Sequence, residues 1–344
     1  MEHKLTRQDT NLLKGLAIVG IILHNFCHML PRIVAENEYT YHTFKNAQLL
    51  GSLEHGYHVG LSLLSYFGHC GVPVFLLLSG YGLVMKYERG TIGHIGVKDF
   101  ILYNARKLWH LLWIGLALWL IFFFSEHGFH EGFPTRAFVT LLTFTTNFVF
   151  KEPHLQMIMG PWWFFGLIMQ MYVVYRLLFY RRGDVWLLGA AAVSLALLAY
   201  AVSCGEADQT LLNYLRYNCV GEMLPFAVGV WMGRHGVIRS WAQTAVCGVL
   251  FLLCCFNAYA WILTPTLLTL ALLQAVALRG TLRNVLETLG VLSASIFVVH
   301  PLVRAVIHPT TIAPSEAYWP LFLYLIITLA LAIVYKQIND RIRF

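Results

Sequence analysis

The stretch Leu12-LKGLAIVGIILHNFCHM-Leu30 decides how this chain is read. Lys14 is its one fully charged side chain, and it stands at the start. Nine uncharged residues follow before His24, Asn25 and His28. An apolar run of about 20 residues makes a helix about 30 Å long, enough to cross the hydrocarbon core of a bilayer. The polar groups near its far end are costly in lipid and by default suggest function.

Working outward, the same apolar signature recurs along the chain. Spans are predicted at roughly 12–30, 68–86, 103–124, 161–180, 184–203, 218–233, 241–258, 260–278, 288–307 and 317–338. The expected fold is therefore all-α: a polytopic membrane helical bundle of about ten transmembrane helices, in one domain over 1–344 with no soluble domain. Composition agrees, since 58% of the 344 residues are apolar and only 12% are charged. A soluble domain carries about 25% charged residues. The sixth span is short and reads as interrupted by Pro225, and 51–67 reads as a short interfacial helix inside the long loop 31–67. Met1–Asn11 is polar and precedes a full span, so no cleavable signal peptide is expected.

The formal charge of +7 would point to nucleic acid in a soluble protein. In a membrane protein Lys and Arg instead gather in cytoplasmic loops. Segment 136–150 tests the count. If it does not span, ten crossings leave only Arg32, Lys45, Arg136, Lys151, Arg216 and Arg304 outside, and the other 18 of the 24 basic residues inside. Segment 136–150 is accordingly read as re-entrant or surface-lying, and both termini as cytoplasmic in a multi-pass protein of the cell (inner) membrane. Most histidines and acids fall on the opposite side.

The seven cysteines have no metal-finger spacing. Cys27 with Cys70, or Cys204 with Cys219, would pair if they faced an oxidising compartment. His24 and His28 are four apart and share a helix face. No HExxH pattern or third ligand accompanies them, so no metal is expected. As a neutral imidazole either would serve as a general base; the plainer reading is a hydrogen-bonded interfacial histidine.

Five stretches together resemble the membrane acyltransferase-3 family. They are LLKGLAIVGIILHN, Gly71-VPVFLLLSGYGL, Pro161-WWFFGLIMQMYVVY, Arg216-YNCVGEMLPFAVGVWMG and Leu289-GVLSASIFVVHPL, in the family's order over nearly the whole chain. The resemblance implies an O-acyltransferase that moves an acyl group, acetyl being the usual one, from cytoplasmic acyl-CoA to a hydroxyl. The acceptor implied is an envelope glycan or similar molecule, and the partners are membrane lipid and that acceptor, with no nucleic acid.

The family's first-helix motif is a basic residue, ten residues, then His. Lys14 matches the basic position, but His24 falls one residue early and Asn25 takes the eleventh step. At about 100° per residue Asn25 returns to within roughly 20° of Lys14, and His24 lies about 80° away. A π-bulge near Gly15 or Gly20 would restore His24; otherwise His28 substitutes. The expected catalytic set is His24, His28, Asn25 and Glu222. Donor binding is expected at Lys14, Arg106, Lys107, Arg176, Arg181 and Arg182, although positive-inside anchors read the same way. Acceptor binding is expected at His300, Arg304, Arg216, Trp162 and Trp163, the tryptophans reading most simply as an interfacial aromatic belt. Pro301 would free a backbone carbonyl beside a cavity. Ser79, Gly80 and Gly82 read as helix packing. A transporter or flippase, a membrane assembly subunit and a polysaccharide polymerase are the competing classes. The polymerase would carry an arginine-rich outer loop, which 31–67 lacks.

Overall fold

The computed structural model describes residues 4–35, 40–90, 95–128, 132–148 and 158–342. All regular elements among them are helical. In chain order they are α1 (Arg7–Cys27), α2 (Thr43–His55), α3 (Val59–Phe67), α4 (Gly71–Tyr87), α5 (Val97–His127), α6 (Thr135–Leu142), α7 (Trp163–Val174), α8 (Val185–Ser203), α9 (Thr210–Arg216), α10 (Met223–His235), α11 (Trp241–Cys254), α12 (Ala258–Trp261), α13 (Thr264–Leu272), α14 (Gly280–Ile307) and α15 (Tyr318–Arg341). Among the described residues, seven helical stretches are long and apolar enough to cross a membrane: Arg7–Cys27, Val59–Tyr87, Val97–Glu126, Gly160–Phe179, Val185–Ser203, Gly280–Thr311 and Tyr318–Arg341. Where the other three spans are expected stand shorter helices, Met223–His235, Trp241–Cys254 and Thr264–Ala277.

Several boundaries differ from the sequence reading. α1 starts at Arg7 because Thr6 and Asp9 form a capping box: the Asp9 amide donates to Thr6 Oγ1 at 3.1 Å and the Thr6 amide to Asp9 Oδ2 at 3.1 Å. Two orphan donors of the first turn are satisfied this way. Loop 31–67 contains two helices, and α3 runs through a 3₁₀ turn at Gly68–Cys70 into α4, making one apolar stretch. Pro225 does not interrupt α10; it sits in its first turn, where a missing N–H costs no intrahelical bond. In segment 136–150, α6 has 8 residues and ends before a 3₁₀ turn at Thr146–Phe148; Val149 and Phe150 lie outside the described residues. α1 has no π-bulge, and the π-helical turn lies at Tyr175–Phe179 instead. All seven cysteines are free thiols.

Backbone contact through small residues holds the long helices together, as in membrane bundles generally. α1 lies against α14 so closely that a Cβ at Gly15 would strike the Leu286 carbonyl and one at Gly290 the Asn11 carbonyl. α4 and α10 meet in the same way, Gly80 against Phe226 and Gly229 against Leu77. Gly82 has open space beside it and takes no part.

Helix ends that the ten-span reading assigns to one side do meet. At the Lys14 end, Arg234 Nε donates to Glu88 at 2.9 Å and Arg234 Nη1 to Asp184 at 3.1 Å, while Arg283 pairs with Asp9 at 3.0 Å. Partial burial disfavours the Asp184 charge, but hydrogen bonds from Arg234 and His235 outweigh it and hold the carboxyl below its ordinary range. At the opposite, His24 end, Thr43 donates to Glu206 at 3.1 Å, Gln209 to the Tyr41 carbonyl at 3.1 Å, and Asn46 to the Cys255 carbonyl at 2.9 Å.

Candidate functional site

The end of α1 and the two residues that follow it form one wall of a cavity of about 160 Å³, through Ile21, His24, Asn25, His28 and Met29. The 3₁₀ turn and α4 contribute His69 and Val72. The start of α7 and the residues before it contribute Gly160, Pro161, Trp163 and Phe164. Arg216 and Tyr217 come from the end of α9, and Phe297 and Arg304 from α14. A straight α-helix suffices to present both His24 and Asn25. They are about 100° apart around the axis, and the cavity is wide enough to include both.

Hydrogen bonds fix the tautomers of the α1 histidines. His24 Nδ1 lies 2.7 Å from the Ser65 carbonyl, and His28 Nδ1 lies 2.9 Å from the His24 carbonyl. A carbonyl can only accept, so each Nδ1 carries the proton and each neutral ring keeps its lone pair on Nε2. The two rings stack with centroids 4.6 Å apart. Ser65 is itself anchored, its hydroxyl donating to the Val34 carbonyl at 2.6 Å. The His24 ring is therefore held in one orientation, with the lone pair on Nε2.

Two guanidinium groups line the same cavity. Arg304 Nη1 donates to Asn25 Oδ1 at 2.8 Å and to the Asn25 carbonyl at 3.2 Å. Arg216 Nη2 donates to the Tyr217 hydroxyl at 2.6 Å and sits over the Tyr217 ring at 4.4 Å. Trp163 meets Tyr217 edge-on at 5.1 Å. Pro301, inside α14, removes the N–H that would bond the carbonyl of Phe297, a residue of the cavity wall.

Three expected residues do not line the cavity. Glu222 and His300 are fully buried, and Trp162 is 1% exposed. Trp162 is not part of an interfacial belt. Its indole N–H donates to the Val298 carbonyl at 3.2 Å, and the ring packs at Gly115, in the core. Adjacent helical residues point in different directions, so only Trp163 reaches the cavity. His300 Nδ1 bonds the Ile296 carbonyl at 3.1 Å, one turn from Arg304. His69 does line the cavity. The sequence reading counted it only among the many histidines of that side, since a lone His before an apolar helix carries no periodic signal.

The basic residues separate into two groups. Arg106 and Lys107 line a broad cavity of about 1140 Å³ with Tyr103, Trp109, His110, Trp113 and Ile342. Lys14 is within electrostatic reach of Lys107. Arg176, Arg181 and Arg182 lie elsewhere. Arg176 donates to the Ile95 carbonyl at 2.8 Å and sits over the Tyr180 ring at 4.6 Å. Arg181 lies over Tyr180 at 5.2 Å, and Arg182 over Trp186 at 4.9 Å. Among the described residues no three His, Cys, Asp or Glu side chains are grouped as a metal ion requires.

A helical membrane bundle with a histidine-lined cavity near one end fits a membrane-embedded group-transfer protein. The sequence profile described as "Acyltransferase domain" (Acyl_transf_3) matches residues 7–336. The chain belongs to this acyltransferase family, and membership implies acyltransferase activity. No curated protein and no solved structure matches it.

Proposed function

We propose that this protein is an O-acyltransferase of the cell (inner) membrane. It moves an acyl group, acetyl in the simplest case, from cytoplasmic acyl-CoA to a hydroxyl of an envelope glycan or similar acceptor. The observation that carries the reading is His24: a buried, cavity-facing imidazole whose Nδ1 proton is committed to Ser65, leaving Nε2 as the basic atom. In the proposed reaction His24 Nε2 takes the proton of the acceptor hydroxyl as its oxygen attacks the thioester carbonyl. The C–O bond forms, the C–S bond breaks, and the imidazolium returns the proton to the departing thiolate. His28 stands one turn further along as the alternative base.

The donor enters at the Lys14 end. The broad cavity there has the basic groups and aromatic faces that phosphates and an adenine would use, Arg106 and Lys107 beside Trp109 and Trp113. Lys14 and His24 are ten residues apart on one helix, roughly 15 Å, a distance for an extended pantetheine arm to bridge. The acceptor approaches from the His24 end, where Arg216, Arg304 and Trp163 offer hydrogen bonds and a stacking face. On this reading 1–344 works as a single transmembrane unit, with Glu222 and His300 supporting the acceptor side from behind the cavity lining.

The test supplies acetyl-CoA labelled in the acetyl group to membranes containing the protein. The expected result is label in envelope material as alkali-labile ester, absent with His24→Ala at matched expression. No transfer from any acyl-CoA, together with uptake of a small solute dependent on this protein, would establish the transporter class instead.

A further inference from the structure

His69 has no part in the reaction as just described. It lies in the 3₁₀ turn between α3 and α4, is 2% exposed, and lines the same cavity as His24. Its ring meets His24 edge-on, centroids 5.5 Å apart. The backbone is built to bring it there: a Cβ at Gly68 would press on His24 Cβ at 2.6 Å, so only glycine lets this turn come so close to α1. Neither ring nitrogen of His69 makes a well-formed hydrogen bond, although the Tyr66 backbone lies within its reach. A buried polar group without a partner typically costs 1–3 kcal/mol, and native proteins keep few of them. His24 and His28 each commit one nitrogen to a short hydrogen bond with a carbonyl; His69 makes no such bond.

We propose that His69 is a second reaction-centre histidine, whose ring N–H donates a hydrogen bond to the acyl carbonyl oxygen as that oxygen becomes an oxyanion. The assignment rests on the acyltransferase reading and extends it. A neutral imidazole carries one N–H and one lone pair, so no change of protonation is needed. When the acceptor oxygen attacks, the carbonyl π electrons move onto the oxygen and His69 N–H stabilises them. When the C–S bond breaks the carbonyl re-forms, and His24 delivers the proton to sulfur. The two histidines divide the work, one moving the proton and one holding the developing charge. Loss of one such preorganised donor costs about 10²–10³-fold in turnover.

The experiment compares wild type, His69→Leu, His69→Gln and His24→Ala, using acetyl-CoA labelled in the acetyl group. It records kcat, KM for acetyl-CoA and thermal midpoint. His69→Leu is expected to lose about 10²–10³-fold in kcat with KM little changed and the midpoint unchanged or higher, because a poorly satisfied polar group leaves the core. His69→Gln, which retains an N–H donor, is expected to recover at least 10-fold over leucine. Leucine activity within about threefold of wild type overturns the proposal. So does a well-folded glutamine variant no better than leucine. If leucine lowers the midpoint, the glutamine variant decides alone: recovery supports the donor role, and a folded but inactive protein removes it. Full activity in wild type and His69→Leu with none in His24→Ala defeats only the His69 assignment. No transfer in wild type defeats the acyltransferase reading and this assignment together.

Discussion

Arg304 of α14 is held by Asn25 of α1: its Nη1 donates to the Asn25 side-chain oxygen at 2.8 Å and to the Asn25 carbonyl at 3.2 Å. Asn25 is the residue that occupies the eleventh step after Lys14, and its side-chain amide is fixed by donating to the Ile21 carbonyl at 2.9 Å. The bond therefore aims a part-buried cation into the cavity. Asn25→Ala removes one charge-assisted acceptor, worth about 1.5–3 kcal/mol. The expected outcome is at least a 10-fold loss in acyl transfer, with Asn25→Asp retaining more activity than alanine because a carboxylate accepts the same bond. Equal activity in wild type and Asn25→Ala would mean that Arg304's position is unimportant.

The closeness of α1 and α14 predicts where added bulk is not tolerated. Gly290→Ala would drive a methyl group into the Asn11 carbonyl, a backbone atom unable to swing away. Overpacking of this kind costs about 1–3 kcal/mol. Gly248→Ala in α11 is the control, since nothing lies within 4 Å of its added Cβ, and an alanine in a helix interior is favoured by about 0.5–1 kcal/mol. Thermal unfolding in detergent should show a lower midpoint for the first and an equal or higher one for the second. The same midpoint shift in both would place the tight contact elsewhere.

The separation of the basic residues makes a prediction about the donor. Arg106→Ala with Lys107→Ala removes two charges from the broad cavity and is expected to raise KM for acetyl-CoA by about 10-fold or more. Arg181→Ala with Arg182→Ala removes cations already stacked on Tyr180 and Trp186. Exposed pairs of this kind are worth about 0.5–1 kcal/mol, so KM should change less than threefold. If the second pair matters as much as the first, the donor does not use the cavity beside Arg106.

Tags give the topology directly. Tags at Met1 and Phe344 are expected to report the cytoplasm, and a tag between α2 and α3 the opposite side. A C-terminal tag on the outer side would require an odd number of crossings. How much of this was legible follows from the signals involved. The long helices were readable because lipid demands uninterrupted apolar length, and Pro161, Arg216 and Arg304 fall near the ends of those apolar runs. The start of α1 was misjudged because Thr6 and Asp9 act through a reciprocal cap rather than through hydropathy. Trp162 was misassigned because the sequence does not show which of two adjacent tryptophans faces inward. His69 was passed over because its significance arises only when Gly68 brings a separate turn against His24, a contact 44 positions apart in the chain.

The choice between His24 and His28 as base follows from what each ring touches. His24 is 6% exposed and tied to Ser65, whose hydroxyl is anchored in turn to Val34, so its ring is fixed from another helix. His28 is tied only to the carbonyl of His24, within its own helix. A general base contributes about 10²–10⁴-fold, and positioning within hydrogen-bond reach decides how much of that is realised. His24→Ala is therefore expected to reduce transfer by at least 10²-fold, and His28→Ala by about 10-fold through loss of the stacked neighbour. Ser65→Ala should be close to neutral, because the bond to His24 uses the main-chain carbonyl and not the hydroxyl, with only the anchor to Val34 lost. His24→Gln should be as inactive as alanine, since an amide can hydrogen-bond but cannot take up a proton at neutral pH. The measurement is the initial rate of label transfer in membranes of matched expression. Near-wild-type rates in the His24→Ala and His28→Ala double variant would remove the first helix from the chemistry.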